Sequence, residues 1–320
     1  MLRLDRHMFR IAVLGSPTSW YLKDLRRAAI ELDAGETVSV DPVPFTKIAA
    51  AVGSDGLASW SSADNDGGKD APSKQLRIDE FDALIVRSMP PGSLEQIIFR
   101  MDVLQRCEAA GQTVINPPRA LETAIDKFLC LAKLQSAGFD VPETIACQTF
   151  DEAMAAFKKL GGDVVVKPLF GGEGRGITRI ADEAFAFRSF RLLEQLGSVI
   201  YLQKFIPHDG ADLRLFVIGD TVLGMRRVNP DDWRTNISLG ARGEPLEITD
   251  ELRSMAMLAV DAIGAPICAV DLLPGKDGRL YGLEVNAVPG WKALSKVLSV
   301  DVAKMIIRYT RSLAGGENRR

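Results

Sequence analysis

Residues 164–180, VVVKPLFGGEGRGITRI, restrict the architecture more than any other stretch. VVVK reads as a buried strand, GITRI as a second, and a glycine-rich loop joins them. The loop follows a lysine but lacks a G-K-[ST] ending, and no amphipathic helix comes directly after it, so it is not a P-loop. Glycine lets the backbone approach phosphate oxygens closely. Such a loop between strands can close as a flap over a nucleotide, although glycine-rich hairpins are also common as plain structure. Val165 and Lys167 share one strand face, opposite Val164 and Val166. A lysine ending a buried strand needs an anionic partner, because an unpaired buried charge is costly.

A second hairpin, PICAVDLLPGKDGRLYGLEVNAVPG, turns at Gly275–Gly278. Alternation puts Glu284 and Asn286 on one face, and folding about the turn brings Asp271 roughly across from Glu284. Two carboxylates and an amide oxygen that converge repel one another unless a cation sits between them. Hard oxygen donors in that number suit Mg²⁺, which keeps its other positions for water and phosphate oxygens. Two unrelated strand carboxylates facing water are the alternative; the apolar flanks ICAVDLL and LYGLEVNAV favour a partly buried pair.

The remainder reads as α/β followed by α+β. FRIAVLGS is a buried strand before a helix at 22–32, a doubly wound opening without G-x-G-x-x-G. FDALIVRS is another strand, followed by a helix at 93–110 and then TVINPP. Residues 53–74, rich in Gly, Ser and Asp, read as a mobile loop or insertion. One helix is expected over 119–137 and another over 151–160, the latter capped by a Thr149/Glu152 box. A helix near 182–196 precedes the strand VIYLQKF. LRLFVIGDTVLGMRRV is a hairpin turning at Gly219–Asp220, NPDDWRTNISLGARGEP a polar loop, and helices follow at 250–263 and 300–313. The divisions expected are 1–116, 117–204 and 205–320.

A net charge of −3 disfavours a general nucleic-acid surface. Two histidines, His7 and His208, make a His/Cys zinc site improbable. Four scattered cysteines without a C-x-x-C read as reduced thiols in a cytoplasmic protein. No apolar run reaches the ~20 residues of a membrane span, and the polar start is too short for a secretory signal. A homo-oligomer stays open.

The ordered set Asp126-Lys127, Lys167-Pro168 with GGEGRGI, LQKFI, DLR, RTN, Asp271 and EVNAVPG resembles the ATP-grasp superfamily over about residues 116–315. Its nearest branch by these motifs is the RimK-like amino-acid ligases. The resemblance implies an ATP-grasp fold behind an N-terminal doubly wound α/β (pre-ATP-grasp) domain. It implies a carboxylate–amine ligase that forms an acylphosphate on an acceptor and joins it to an amino acid, L-glutamate by family. By motif, Lys127 and Lys167 contact ATP phosphates, and Gly171, Gly172, Gly174 and Gly176 form the flap. Gln203, Lys204, Phe205 and Ile206 form the adenine hinge, and Asp212 joins the nucleotide set. Asp271, Glu284 and Asn286 bind two Mg²⁺, with Mn²⁺ admitted. Arg234 and Asn236 meet the γ-phosphate or acylphosphate, and Arg214 meets the amino acid. Lys204 departs from the pattern, since the hinge often carries an acidic residue there. NAVPGWKAL and INPPRALE resemble ligases of tetrahydromethanopterin-type coenzymes. A ribosomal-protein C-terminus is the rival acceptor, and a regulatory nucleotide binder without turnover the rival function. A kinase-like phosphoryl transferase would yield a stable phosphorylated product instead of an amide. Arg87 and Arg100 are candidates for an acidic acceptor tail.

Overall fold

The computed structural model describes residues 8–32, 37–53, 56–62, 75–171 and 174–315. In chain order the first elements are β1 (Phe9–Leu14), α1 (Trp20–Ile30), β2 (Val38–Val43), β3 (Ile48–Gly53), β4 (Gly56–Ser62) and β5 (Gln75–Arg77). Next come β6 (Ala83–Val86), α2 (Leu94–Ala109), β7 (Thr113–Ile115), α3 (Pro118–Ile125), α4 (Lys127–Ser136), β8 (Thr144–Cys147) and α5 (Phe150–Lys159). The glycine loop lies between β9 (Val164–Lys167) and β10 (Thr178–Ile180); α6 (Glu183–Gln195) and β11 (Ile200–Lys204) follow. The last third holds β12 (Ala211–Ile218), β13 (Thr221–Val228), β14 (Arg242–Pro245), α7 (Asp250–Ile263), β15 (Ile267–Pro274), β16 (Leu280–Asn286), α8 (Lys292–Leu298) and α9 (Val302–Ala314).

Among the described residues, one compact unit forms within Met1–Leu121, Ala265–Ile267 and Gly290–Arg320. Its centre is a parallel sheet ordered β2-β1-β6-β7. Ile11–Leu14 and Ala83–Val86 are buried, as befits parallel strands covered on both faces. A small antiparallel sheet, β3-β4-β5, lies beside it in sequence. The whole of β4 falls inside the loop expected over 53–74. GLASWSS has little β-branched patterning to announce a strand, but pairing to β3 satisfies its backbone regardless. Residues 54–55 and 63–74 lie outside the described set.

The second unit forms within Glu122–Gly264 and Cys268–Pro289 and holds two antiparallel sheets, β10-β9-β11-β8 and β14-β13-β12-β15-β16. Helices α5 and α6 cover one face of the first sheet. Phe150, Phe157 and Phe190 pack there with Val164, Val166, Ile200 and Leu202. Val164 and Val166 thus face the helices, which sends Val165 and Lys167 to the opposite face.

Three local expectations change. The helix read over 119–137 is two helices: Asp126 leaves helical geometry and its carboxylate accepts from Phe128 N–H and Leu129 N–H, capping α4. The polar loop after β13 contains the edge strand β14. The C-terminal helix, assigned by sequence to the third division, belongs to the first unit. Amphipathicity says that α9 packs, not on what. Val302, Ala303, Ile306 and Ile307 bury against α1, β6 and β7, and Arg27 forks onto Asp301 at 3.0 and 2.9 Å.

Candidate active site

The site residues gather within the second unit. Ending the helix at Asp126 makes Lys127 the first residue of α4, where it is buried, and its Nζ donates to Gly171 O at 2.5 Å. Lys127 N–H reaches Leu169 O at 3.4 Å, so this helix start and the glycine loop are tied twice. Gly171, Gly174 and Gly176 adopt φ of 126°, 73° and 73°, a region side chains rarely enter. Gly172 lies outside the described residues. A Cβ on Gly174 would sit 2.6 Å from Asn236 Oδ1, so the flap rests directly on the 234–239 loop.

Lys167 Nζ donates to Gln203 Oε1 at 2.6 Å, and buried Gln203 passes a bond from Nε2 to Thr144 Oγ1 at 3.0 Å. Burial pushes the Lys167 ammonium down to about 8; Glu284 and Asp271 pull it upward, and Lys127 opposes them. These couplings join a lysine of the first sheet to carboxylates of the second.

The β15–β16 register pairs Asp271 with Glu284 and Ala269 with Asn286, with a bulge just after Asp271. Glu284 is half-buried, and its carboxylate makes no hydrogen bond or ion pair among the described residues. Asn286 Oδ1 accepts from Val288 N–H at 2.9 Å and keeps a second lone pair. Asp271 is buried and accepts from Arg214 Nε and Nη2, both at 2.8 Å, while Arg227 Nη2 lies 3.0 Å away. Burial raises the Asp271 carboxyl, and Arg214 and Arg227 outweigh it, leaving a net lowering. No group of three or more His, Cys, Asp or Glu gathers as a metal site among the described residues. The donor set is therefore two carboxylates and an amide oxygen. It fits a hard divalent ion, because Glu284 is an unpartnered half-buried carboxylate beside a second one.

Asp212 sits in a buried ion pair. Expected at the nucleotide, it is buried and its oxygens accept from Arg227 Nε at 2.7 Å, Arg227 Nη2 at 2.5 Å and Thr235 Oγ1. With those acceptor sites used, it positions Arg227 and Thr235. Burial raises its carboxyl, against the pull of Arg227. Sequence reading missed Arg227, although the Gly219–Asp220 turn alone sets Asp212 opposite Arg227 in the β12–β13 register. Arg234, expected at a phosphate, is oriented by a fork onto Asp232, its Nη2 at 2.6 Å. Arg214 is held by Asp271 rather than left open.

At the hinge, Lys204 turns outward to Glu143 at 3.2 Å, both side chains exposed. Lys204 N–H donates to Glu143 O and Phe205 N–H to Asp163 O, which leaves Ile206 N–H as the hinge donor unused within the described chain. Phe205 is stacked by Arg179, 3.5 Å from its centroid, and meets Trp233 edge-on. A cleft of about 310 Å³ shares Lys204, Phe205 and Ile206 with the hinge but none of the lysine–carboxylate cluster.

Two antiparallel sheets carrying a glycine flap, a buried and a half-buried lysine and a facing carboxylate pair define an ATP-grasp enzyme. Residues 124–310 match the RimK-like ATP-grasp domain, and the chain belongs to that family. It is 30% identical over 269 residues to the tetrahydromethanopterin:alpha-L-glutamate ligase of Methanosarcina acetivorans, across 75% of this chain and 82% of that protein. It is 34% identical over 206 residues to the alpha-aminoadipate–LysW ligase LysX of Saccharolobus solfataricus, across 62% of this chain and 74% of that one. Among solved structures, the ATP-grasp ligase PsnB with its minimal precursor superposes at a TM-score of 0.70 and 22% identity, covering 96% of this chain and 99% of that one, a likeness of fold. The chain is an ATP-dependent acid–amino-acid ligase. No helix among its described residues is long and apolar enough to cross a membrane.

Proposed function

We propose that this ligase activates the carboxylate of a small coenzyme acceptor of the tetrahydromethanopterin kind and joins it to the amine of L-glutamate, in the cytoplasm. The observation that carries the chemistry is the convergence of Lys167, Asp271 and Glu284 across two sheets. The relatives named as glutamate ligases support the amino acid and the acceptor class. A carboxylate is a poor acyl donor because oxide would have to leave. Transfer of the γ-phosphoryl group to it makes an acylphosphate, which an amine attacks with loss of phosphate. Lys127 and Lys167 neutralise charge on the phosphates, with Lys127 also holding Gly171 in place. The flap excludes water from an intermediate that hydrolyses readily. Asn236, under the flap, and Arg234 meet the transferred phosphoryl group; Arg214, oriented by Asp271, meets the amino-acid carboxylate. Ile206 N–H receives the adenine. Glu284, Asn286 Oδ1 and the remaining acceptor position of Asp271 would hold Mg²⁺, as two ions. Bound there, Mg²⁺ would supply positive charge against the phosphates.

The test is a screen of amino acids against candidate acceptors for ADP release, with products weighed by mass spectrometry. The proposal requires ADP only when both are present, and a product one glutamyl unit heavier. ADP at the same rate with neither present would mean an ATPase, and a stable phosphorylated acceptor a kinase.

Lys167 gives a pH dependence. Its folded value near 8 lies below the ordinary 10.5, so ordinary protein stability gains from this group as pH rises between those values. A bound polyphosphate favours the charged form, so the sign for binding is opposite. MgATP affinity should be flat below pH 8 and weaken above it, approaching about tenfold per pH unit. Calorimetry in buffers of different ionisation enthalpy should register proton uptake at pH 9. Lys167→Arg should flatten the profile.

Gly174→Ala should raise the KM for ATP about tenfold, since it adds left-handed strain of ~1–2 kcal/mol to a clash with Asn236. Gly161→Ala is the control: its φ is +91° but nothing lies within 4 Å, so it should cost stability alone. Equal KM values in the two variants would separate the flap from nucleotide binding.

A further inference from the structure

Strands β1 and β6 are parallel neighbours whose chains leave in opposite directions, β1 through α1 to β2 on one side and β6 through α2 to β7 on the other. In open parallel sheets the crevice at such a switch point, beyond the carboxyl ends of the strands, is where ligands bind. Arg87 stands there, immediately after β6. Its guanidinium stacks over Tyr21 at 4.7 Å and over Trp291 at 4.5 Å. It makes no hydrogen bond or ion pair among the described residues, and its Nε is buried without a partner, although the side chain as a whole keeps some exposure. Burial pushes the guanidinium down to about 10, with Tyr21 opposing.

The rings around the guanidinium are held in place. Trp291 is fully buried and donates from Nε1 to Asp24 at 2.8 Å, an aspartate that also engages Arg27. A Cβ on Gly290 would press on the Tyr21 hydroxyl, so glycine there leaves the ring its place. Gly15, closing β1, would bring a Cβ to 3.3 Å from both Arg87 Cβ and Ser88 Oγ. The first turn of α1, which begins at this end of β1, holds no acidic residue, and its dipole presents positive charge. Lys292 Nζ lies over Trp20, adding a second cation. A purely structural arginine clamp would have its N–H donors satisfied; this one leaves its buried Nε unpartnered beside two rings.

We propose that Arg87 is the anchor of an oxyanion site of its own in the β1/β6 crevice, gripping a carboxylate or a phosphate of a small ligand with the guanidinium fork.

Titration of the full chain with glutarate, and separately with inorganic phosphate, at constant ionic strength should quench tryptophan fluorescence saturably for at least one of them. Glutarate alone identifies a carboxylate ligand and phosphate alone a phosphorylated one; both outcomes support the site. Arg87→Gln should weaken the binding about tenfold or more, and Arg87→Lys, which keeps charge and stem but loses the fork, should weaken it less. Absence of saturable binding to the wild-type chain, or unchanged binding in both variants, overturns the anchor. Those results leave the ligase reading intact, which fails only if no amide product forms.

Discussion

Glu284→Gln should retain the fold and lower kcat by about 10²- to 10⁴-fold, the effect of withdrawing several kcal/mol of charge stabilisation from the transition state. The carboxylate makes no protein hydrogen bond, so amide replacement breaks no structural contact; the loss falls on the ion it would hold. It also removes the strongest opposing charge on Lys167, so that lysine should titrate lower still in the variant. Circular dichroism and thermal melting should match the parent while Mg²⁺-dependent ADP release collapses. Full activity would remove Glu284 from the site. Asp271→Asn is a poorer test, because Arg214 and Arg227 both lean on that carboxylate and its loss damages the fold as well.

Arg227→Met should destabilise the protein by about 3–5 kcal/mol, the cost of breaking a buried ion pair by removing one partner. Arg227, Asp212 and Asp271 are only 4%, 2% and 5% exposed in their side chains, so solvent does little to screen them. Without the guanidinium, Asp212 is left with Thr235, and Asp271 with Arg214 alone. The deficit should shrink as pH falls, since protonating buried carboxylates relieves their repulsion. Urea unfolding at pH 7 and pH 5 reads both effects. A deficit below 1 kcal/mol at pH 7 would show that the triad is not a structural keystone.

Strand alternation around an evident turn carried the most information in this sequence. It set Asp271 against Glu284 and put Lys167 on the face away from Val164 and Val166. The same logic applied to the Gly219–Asp220 hairpin would have paired Asp212 with Arg227; reading DLR as one motif hid that register. Lys127 was legible as part of a motif but not as a buried residue, because helix propensity runs smoothly through 119–137 and only the Asp126 cap breaks it. Small residues concealed β4, and shortness concealed α8. The docking of α9 depends on Arg27 and on α1, some 270 positions earlier in the chain, a pairing that no local pattern encodes. The Arg87 sandwich has the same character: Tyr21, Arg87 and Trp291 meet only through tertiary structure.

Oxygen transfer tests the central claim most directly. An acceptor identified by the screen and labelled with ¹⁸O in its reacting carboxylate should deliver one labelled oxygen to inorganic phosphate for each amide formed, because the acylphosphate bridges through that atom. Amide formation with wholly unlabelled phosphate would contradict carboxylate phosphorylation, and with it the account of why Lys127, Lys167 and Glu284 converge.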